Sequence, residues 1–322
     1  VSAALSIETA LSGLLADLRA VSFAYSDDEA RDDQGCWTDG GSGKAGHLPT
    51  TMVDGKRMAA DGSELPGHIQ ALRVPPAWHD VTYSPDPNAP LQVLGKDGKS
   101  RTQAIYSAEF TQQQADAKFQ RVSELDGRFD EISARNAAAQ ASDNPRTRAT
   151  ADATALVMST GIRPGSDGDT GGAVKAYGAS TLEGQHVIAG DDGSVSLRYT
   201  GKHGVALNIP VNDPAVGAML LDRKAAAGDG GRLFQTSDAA MLAHVNDLSD
   251  GDFKTKDFRT LVGSRTAQSA VESMPIPTNA KDYKASVMSV AKVVSNKLGN
   301  TPAVALTSYI NPSVFVPWRV AA

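Results

Sequence analysis

Lys297-Leu298-Gly299-Asn300-Thr301-Pro302-Ala303-Val304, followed by Thr307-Ser308-Tyr309-Ile310-Asn311-Pro312, reads as a helix ended by glycine, a polar turn and a short second helix. Gly299-Asn300 is ordinary helix-ending chemistry, because glycine enters the left-handed conformation without penalty. Tyr309 follows Asn300 by about two and a half helical turns and stands just before an Asn-Pro break. Working outward, apolar spacing predicts helices over about 284–298, 254–272, 237–247 and 213–225. Val195-Ser196-Leu197-Arg198-Tyr199 and Val205-Ala206-Leu207-Asn208-Ile209 alternate as strands. They flank Thr200-Gly201-Lys202-His203-Gly204, a hairpin with Lys202 at its tip. Thr150 to Gly161 is a helix, and Gln112 to Ala141 is one long helix or a broken pair. Pro317 and Trp318 pack the end of the sequence.

The texture before Phe110 is different. Ser22 to Tyr106 is rich in Gly, Pro, Asp and short alternating runs. Val81-Thr82-Tyr83 and Leu91-Gln92-Val93-Leu94 read as strands, with turns over 84–90 and 95–99. The fold class is α+β: a small, mainly β domain over 1–109, then a larger, mostly helical domain over 110–322 with an inserted β-hairpin. Leu11, Leu14, Leu15 and Leu18 fall at helical spacing, interrupted by Asp17, so the first residues read as an amphipathic helix rather than a leader. No apolar run is long enough to span a bilayer. The single cysteine, Cys36, excludes an internal disulfide framework and a cysteine-only metal site. It suits a reducing compartment.

The formal net charge is -6 across 322 residues. Nucleic-acid binders usually carry a basic excess, since each Lys or Arg that meets a phosphate releases counterions. The acidic excess lies wholly within residues 1–110, and the rest of the chain is balanced. Any DNA binding is therefore expected to be modest and salt-sensitive. Three basic residues stand in unusual settings: Ile162-Arg163-Pro164-Gly165, Lys202 in its turn, and Lys256-Asp257-Phe258-Arg259-Thr260. Each admits a bland role. Arg163 suits a helix C-terminus, Lys202 an exposed tip, and Arg259 a solvated helix face. Tyr309 can be a core tyrosine with its hydroxyl satisfied.

Taken in order, Arg163, Lys202, Arg259, Asn300 and Tyr309 resemble the active site of type IB DNA topoisomerases of the short bacterial and poxvirus form. The strongest strings are Lys-Asp-Phe-Arg-Thr at 256–260 and Leu-Gly-Asn-Thr-Pro-Ala-Val at 298–304. Arg73-Val74-Pro75-Pro76-Ala77-Trp78-His79-Asp80-Val81 is similar to that family's Pro-Pro-Ala-Trp signature, and Leu94 to Tyr106 to the strand it presses into the DNA major groove. The resemblance spans about Val21 to Pro312. Asn300, where poxvirus members use histidine, is similar to the bacterial branch.

The resemblance implies a monomeric enzyme that clamps double-stranded DNA between its domains and relaxes supercoils without ATP, metal or other cofactor. Tyr309 would be the nucleophile, forming a 3′-phosphotyrosyl intermediate. Arg163 and Arg259 would hold the phosphate with their planar forks. Asn300 would donate to a non-bridging oxygen, and Lys202 would protonate the departing 5′ oxygen. Arg101, Gln103 and Tyr106 would touch DNA, although Ala104 stands where a tyrosine is usual. Trp78 would be a core residue. The implied location is the cytoplasm, on the nucleoid if bacterial.

Other motifs fail. No Gly-x-x-x-x-Gly-Lys-Ser/Thr phosphate loop exists. The histidines at 47, 68, 79, 186, 203 and 244 have no zinc spacing. Gly165 to Gly172 lacks the acidic residue that closes a calcium loop, and the Gly- and Asp-rich stretch 166–173 reads as a mobile loop. A tyrosine recombinase is the first rival, but Lys256 stands where those enzymes carry histidine. A decayed DNA-binding scaffold is the second, yet all five positions are filled.

Overall fold

The computed structural model of the protein describes residues 46–167 and 174–320. The expected N-terminal amphipathic helix, Cys36 and most of the Gly- and Asp-rich stretch after Arg163 lie outside the described residues. The chain divides into two compact units, with the boundary between Lys118 and Phe119.

The first unit holds β1 (Leu48–Val53), β2 (Lys56–Ala59), α1 (Gly67–Ala71), β3 (His79–Tyr83), β4 (Leu91–Lys96) and β5 (Thr102–Tyr106). They form one antiparallel sheet in the order β2-β1-β3-β4-β5, so β5 is an edge strand. Alternation turns Val81, Tyr83 and Val93 to one face, where they pack on Ala59, Leu65 and Ile69. Trp78, expected in the core, is half-buried and packs against this cluster from its edge. The fit is close at Gly95, where a Cβ would stand 2.8 Å from Val81 and 3.1 Å from Trp78. β4 runs on to Lys96, past the turn expected at 95–99, because strands pair along both its sides.

Helix α2 (Ala108–Gly127) leads into the second unit, followed by α3 (Phe129–Gln140), α4 (Pro145–Thr160), β6 (Val187–Ala189), β7 (Val195–Thr200) and β8 (Ala206–Val211). Then come α5 (Pro214–Ala227), α6 (Asp238–Ser249), α7 (Thr255–Ser273), α8 (Ala280–Leu298), α9 (Pro302–Ser308) and the terminal α10 (Val316–Val320). The 112–141 segment is thus a broken pair, α2 and α3. The inserted hairpin gains a third strand, giving the order β6-β7-β8.

Helix α4 is buried along most of its length. Its threonines survive there because their hydroxyls bond back to carbonyls four residues earlier: Thr150 to Arg146, Thr154 to Thr150 and Thr160 to Leu156. Two apolar cores result. One gathers α4, the small sheet, α6 and the start of α7. The other gathers α8, the end of α7 and the C-terminal segment, with Trp318 1% exposed and set edge-on to Tyr283. Helix α7 belongs to both: Phe258 and Leu261 enter the first core, Ala267 and Val271 the second. Arg259 therefore sits at the seam.

Candidate active site

Three helix ends build the site. Helix α4 stops at Gly161, whose φ of 68° is left-handed. A Cβ there would lie 3.0 Å from both Leu298 and Val262, so backbone conformation and close packing both demand glycine. Ile162, 2% exposed, anchors the next step, and Arg163 emerges half-buried. The segment 163–165 is stitched to 178–180: Ala179 N–H donates to Arg163 O at 2.9 Å and Ser180 N–H to Pro164 O at 2.7 Å.

Helix α7 starts on a buried cap. The Asp257 carboxylate accepts the Lys254 N–H at 2.9 Å and receives Nε and Nη2 of Arg121, each at 2.9 Å. This bidentate clamp fixes the first turn, on which Arg259 lies two residues further. Arg259 is not on a solvated face: it is 5% exposed. Its Nη1 donates to Gly161 O and its Nη2 to Leu298 O, both at 2.7 Å. Those carbonyls end α4 and α8, where helices have unsatisfied acceptors and partial negative charge. Two helix C-termini thus converge on one guanidinium. Burial pushes the Arg259 pKa below its ordinary value, with Tyr309 opposing and Arg163 adding to the fall.

Helix α8 stops at Gly299, φ 63°, and the Asn300 N–H closes the end on Ser295 O at 3.1 Å. Thr301 Oγ1 accepts the Val304 N–H, Pro302 takes the first position of α9, and Tyr309 caps its far end. The tyrosine ring lies under Arg259, with Cζ 4.9 Å from its centroid. Its hydroxyl stands 3.4 Å from Arg163 Nη2. Arg163, Arg259 and Tyr309 are therefore brought together directly. Asn300 follows within two residues of the carbonyl that Arg259 grips.

Both amide atoms of Asn300, and Nε of Arg259, are buried among the described residues without a hydrogen-bond partner. Leaving such groups unpaired costs about 1–3 kcal/mol each. Two adjacent cations add repulsion. An anion with several acceptor oxygens relieves both penalties at once, beside a phenol hydroxyl.

Lys202 occupies a single turn of 3-10 helix, Lys202–Gly204, and is half-buried. Leu207 of β8 ties this turn to the Asn300 turn. A Cβ on Gly201 would stand 2.6 Å from Leu207, and one on Gly299 2.2 Å from it. The neighbouring Tyr199 has its phenol pushed up to about 12 by burial, against the pull of Arg259 and Arg163.

Sequence reasoning missed Gly263 and Ser264. Ser264 Oγ donates to Tyr309 O at 3.1 Å and accepts the Asn311 N–H at 3.2 Å. Gly263 leaves room for this, since its Cβ would fall 2.8 Å from Tyr309 O. The pair grips the backbone just after the tyrosine, on both sides of Ile310. No motif marks it, because the contact joins positions 45 residues apart. Asp257 was visible in its string, but its Arg121 partner is 136 residues away.

In the first unit, Arg101, Gln103 and Tyr106 lie at or on β5. Gln103 pairs with Gly95 and shares the face of Ile105, while Tyr106 points to the other face and stacks 5.3 Å from Phe110. Among the described residues no group of three His, Cys, Asp or Glu side chains is placed to hold a metal ion.

A family model described as the catalytic core of eukaryotic DNA topoisomerase I matches residues 107–311. A second, for the N-terminal domain of bacterial DNA topoisomerase IB, matches residues 53–97. A DNA topoisomerase 1B of Acanthamoeba polyphaga mimivirus is 28% identical over 265 residues, covering 75% of this chain and 76% of that protein.

Proposed function

The chain belongs to the type IB DNA topoisomerase family, and we propose that Tyr309 is the nucleophile through which it acts on duplex DNA. The tyrosine oxygen attacks a backbone phosphorus and releases its phenol proton to solvent, the bond to the 5′ oxygen breaks, and a 3′-phosphotyrosine and a 5′ hydroxyl result; religation returns a proton to the phenol. Arg163 and Arg259 stabilise the charge gathered on the non-bridging oxygens during attack. Asn300 adds a neutral donor through its amide nitrogen. Lys202 gives its proton to the leaving 5′ oxygen and takes one back when that hydroxyl religates the strand. The phosphotyrosine keeps the energy of the broken bond, so strand rotation and resealing need no nucleotide.

The observation that carries this reading is the convergence of two guanidiniums on Tyr309, one at its hydroxyl and one over its ring. Charge stabilisation and proton transfer in this scheme are assigned to side chains, so relaxation of positive and negative supercoils is expected to continue in chelator without ATP. Tyr309→Phe removes only the attacking oxygen. It should abolish trapping of a covalent adduct on a nicked substrate while leaving DNA binding nearly intact. A covalent 3′ adduct formed by that variant refutes the assignment.

We extend the proposal to the first unit: β5, with Arg101, Gln103 and Tyr106, contacts the duplex, so both units share in holding DNA. The protein acts as a monomer, in the compartment that houses the DNA. Sedimentation of the DNA complex tests the stoichiometry.

A further inference from the structure

Asp97 opens the turn between β4 and β5, and its carboxylate gathers the start of β5. Oδ1 accepts the N–H of Lys99 at 2.9 Å and of Arg101 at 3.1 Å. Oδ2 receives Arg101 Nε at 2.8 Å, Arg101 Nη2 at 2.6 Å and Gln103 Nε2 at 3.1 Å. The Asp97 side chain is only 16% exposed, against 63% for Arg101. One acid thus engages two of the three side chains assigned to DNA contact.

We propose that Asp97 is a positioning residue for DNA recognition, which fixes the hydrogen-bonding face that Gln103 turns to the bases and holds the charge of Arg101 off the phosphates. This rests on the reading of β5 as a DNA-contacting strand. The Arg101 fork and two backbone amides hold the Asp97 carboxyl down to about 2, so it is ionised at any working pH. An ionised carboxylate only accepts hydrogen bonds. It can face the NH2 end of Gln103 and never the carbonyl end, which settles the amide's orientation by chemistry. Oε1 is left as the end that Asp97 does not engage.

The major groove admits a two-stranded β-ribbon, and β4–β5 are the edge pair of their five-stranded sheet, with β5 outermost. Among base edges there, only adenine N6 and cytosine N4 donate hydrogen bonds; guanine and thymine show acceptors to the same position. Gln103 presented by its oxygen selects adenine or cytosine. Arg101, already paired, releases fewer counterions on binding than a free arginine would.

The two consequences carry opposite signs, which distinguishes positioning from a structural role. In Asp97→Asn the amide at 97 offers either end to Gln103, and Arg101 loses its counter-charge. Base preference should fall, yet binding to random duplex should tighten and become steeper in salt.

The test uses the full chain on a randomised duplex library, with covalent adducts trapped and sequenced for the parent, Asp97→Asn and Gln103→Ala. Salt titrations of binding to random duplex use the same substitutions combined with Tyr309→Phe. The parent should favour adenine or cytosine at one position. Both variants should flatten that position by at least about fivefold, the lower bound for one lost base contact. Asp97→Asn should also steepen the salt slope by roughly one phosphate contact, about 0.9 in log-log units. Thermal unfolding of Asp97→Asn checks that the turn still folds. If Gln103→Ala flattens the position and Asp97→Asn does not, the inference about Asp97 is wrong while the strand assignment stands. Weaker binding by Asp97→Asn with an unchanged slope also overturns it, leaving only a structural hold. If Gln103→Ala changes no position, both the base contact and the inference fall.

Discussion

Arg259 offers the sharpest test, because the structure gives its side chain two duties that one substitution separates. Its fork ties the ends of α4 and α8 through Gly161 O and Leu298 O, and its face covers the Tyr309 ring. In Arg259→Ala both carbonyls lose their donor. At about 1–3 kcal/mol per buried unpaired group, that is roughly 2–6 kcal/mol of lost stability. Removing a buried charge offsets part of this. The catalytic loss is separate: one preorganised donor to a developing oxyanion is worth about 10²–10³ in rate. Arg259→Lys keeps the charge but has one ammonium, which cannot span both carbonyls while lying over the ring. It should recover part of the stability and remain at least ~10-fold slow in cleavage. Denaturant unfolding reports the first quantity, and single-turnover cleavage of a suicide substrate the second. A lysine variant that cleaves at the parental rate refutes the argument from fork geometry. An alanine variant as stable as the parent refutes the tie between helix ends.

Three further predictions follow from other contacts. Lys202→Ala should slow cleavage of an ordinary phosphodiester, and a 5′-bridging sulfur should restore it, since a thiolate leaves without a proton; no rescue means that Lys202 only binds phosphate. Ser264→Ala, which frees the backbone just after Tyr309, should slow cleavage and religation alike by about five- to tenfold, near one hydrogen bond's worth. The cleavage equilibrium should stay put, and a shift in that equilibrium with unchanged rates would contradict positioning. Tyr199 is raised in the fold from 10.0 to about 12, so the fold favours its neutral form. Its contribution to stability is complete below pH 10 and is lost as pH climbs from 10 through 12. Unfolding followed across that range should show this limb in the parent and not in Tyr199→Phe.

The sequence by itself determined the elements whose signals are local. Gly161 and Gly299 mark helix ends because only the left-handed conformation stops those helices cleanly, and both glycines adopt it. Alternation at 195–199 and 205–209 and the Gly-rich turn between them set the hairpin. The helical character of 112–141, the later helices to within a few residues, and the string around Tyr309 were legible in the same way, while periodicity left the break between Gly127 and Phe129 open. Helix α8 begins four residues before the expected start, where Asn279 caps it through the N–H groups of Lys281 and Asp282. Strand β6 escaped notice because three residues carry no period, and it exists by pairing with β7.

What tertiary structure alone decided is where each charge lies. Lys256-Asp257-Phe258-Arg259-Thr260 is equally compatible with a solvated helix face and with a buried one. Arg259 is buried because the carbonyl ends of α4 and α8, 98 and 39 residues away, need a donor and meet at its guanidinium. Ser264 gains its hold on Tyr309, and Asp257 its arginine clamp, by the same kind of long-range meeting. Periodicity reports which face of a helix is apolar. It cannot report which distant chain ends will leave their polar groups unsatisfied there, and in this site those groups place the side chains.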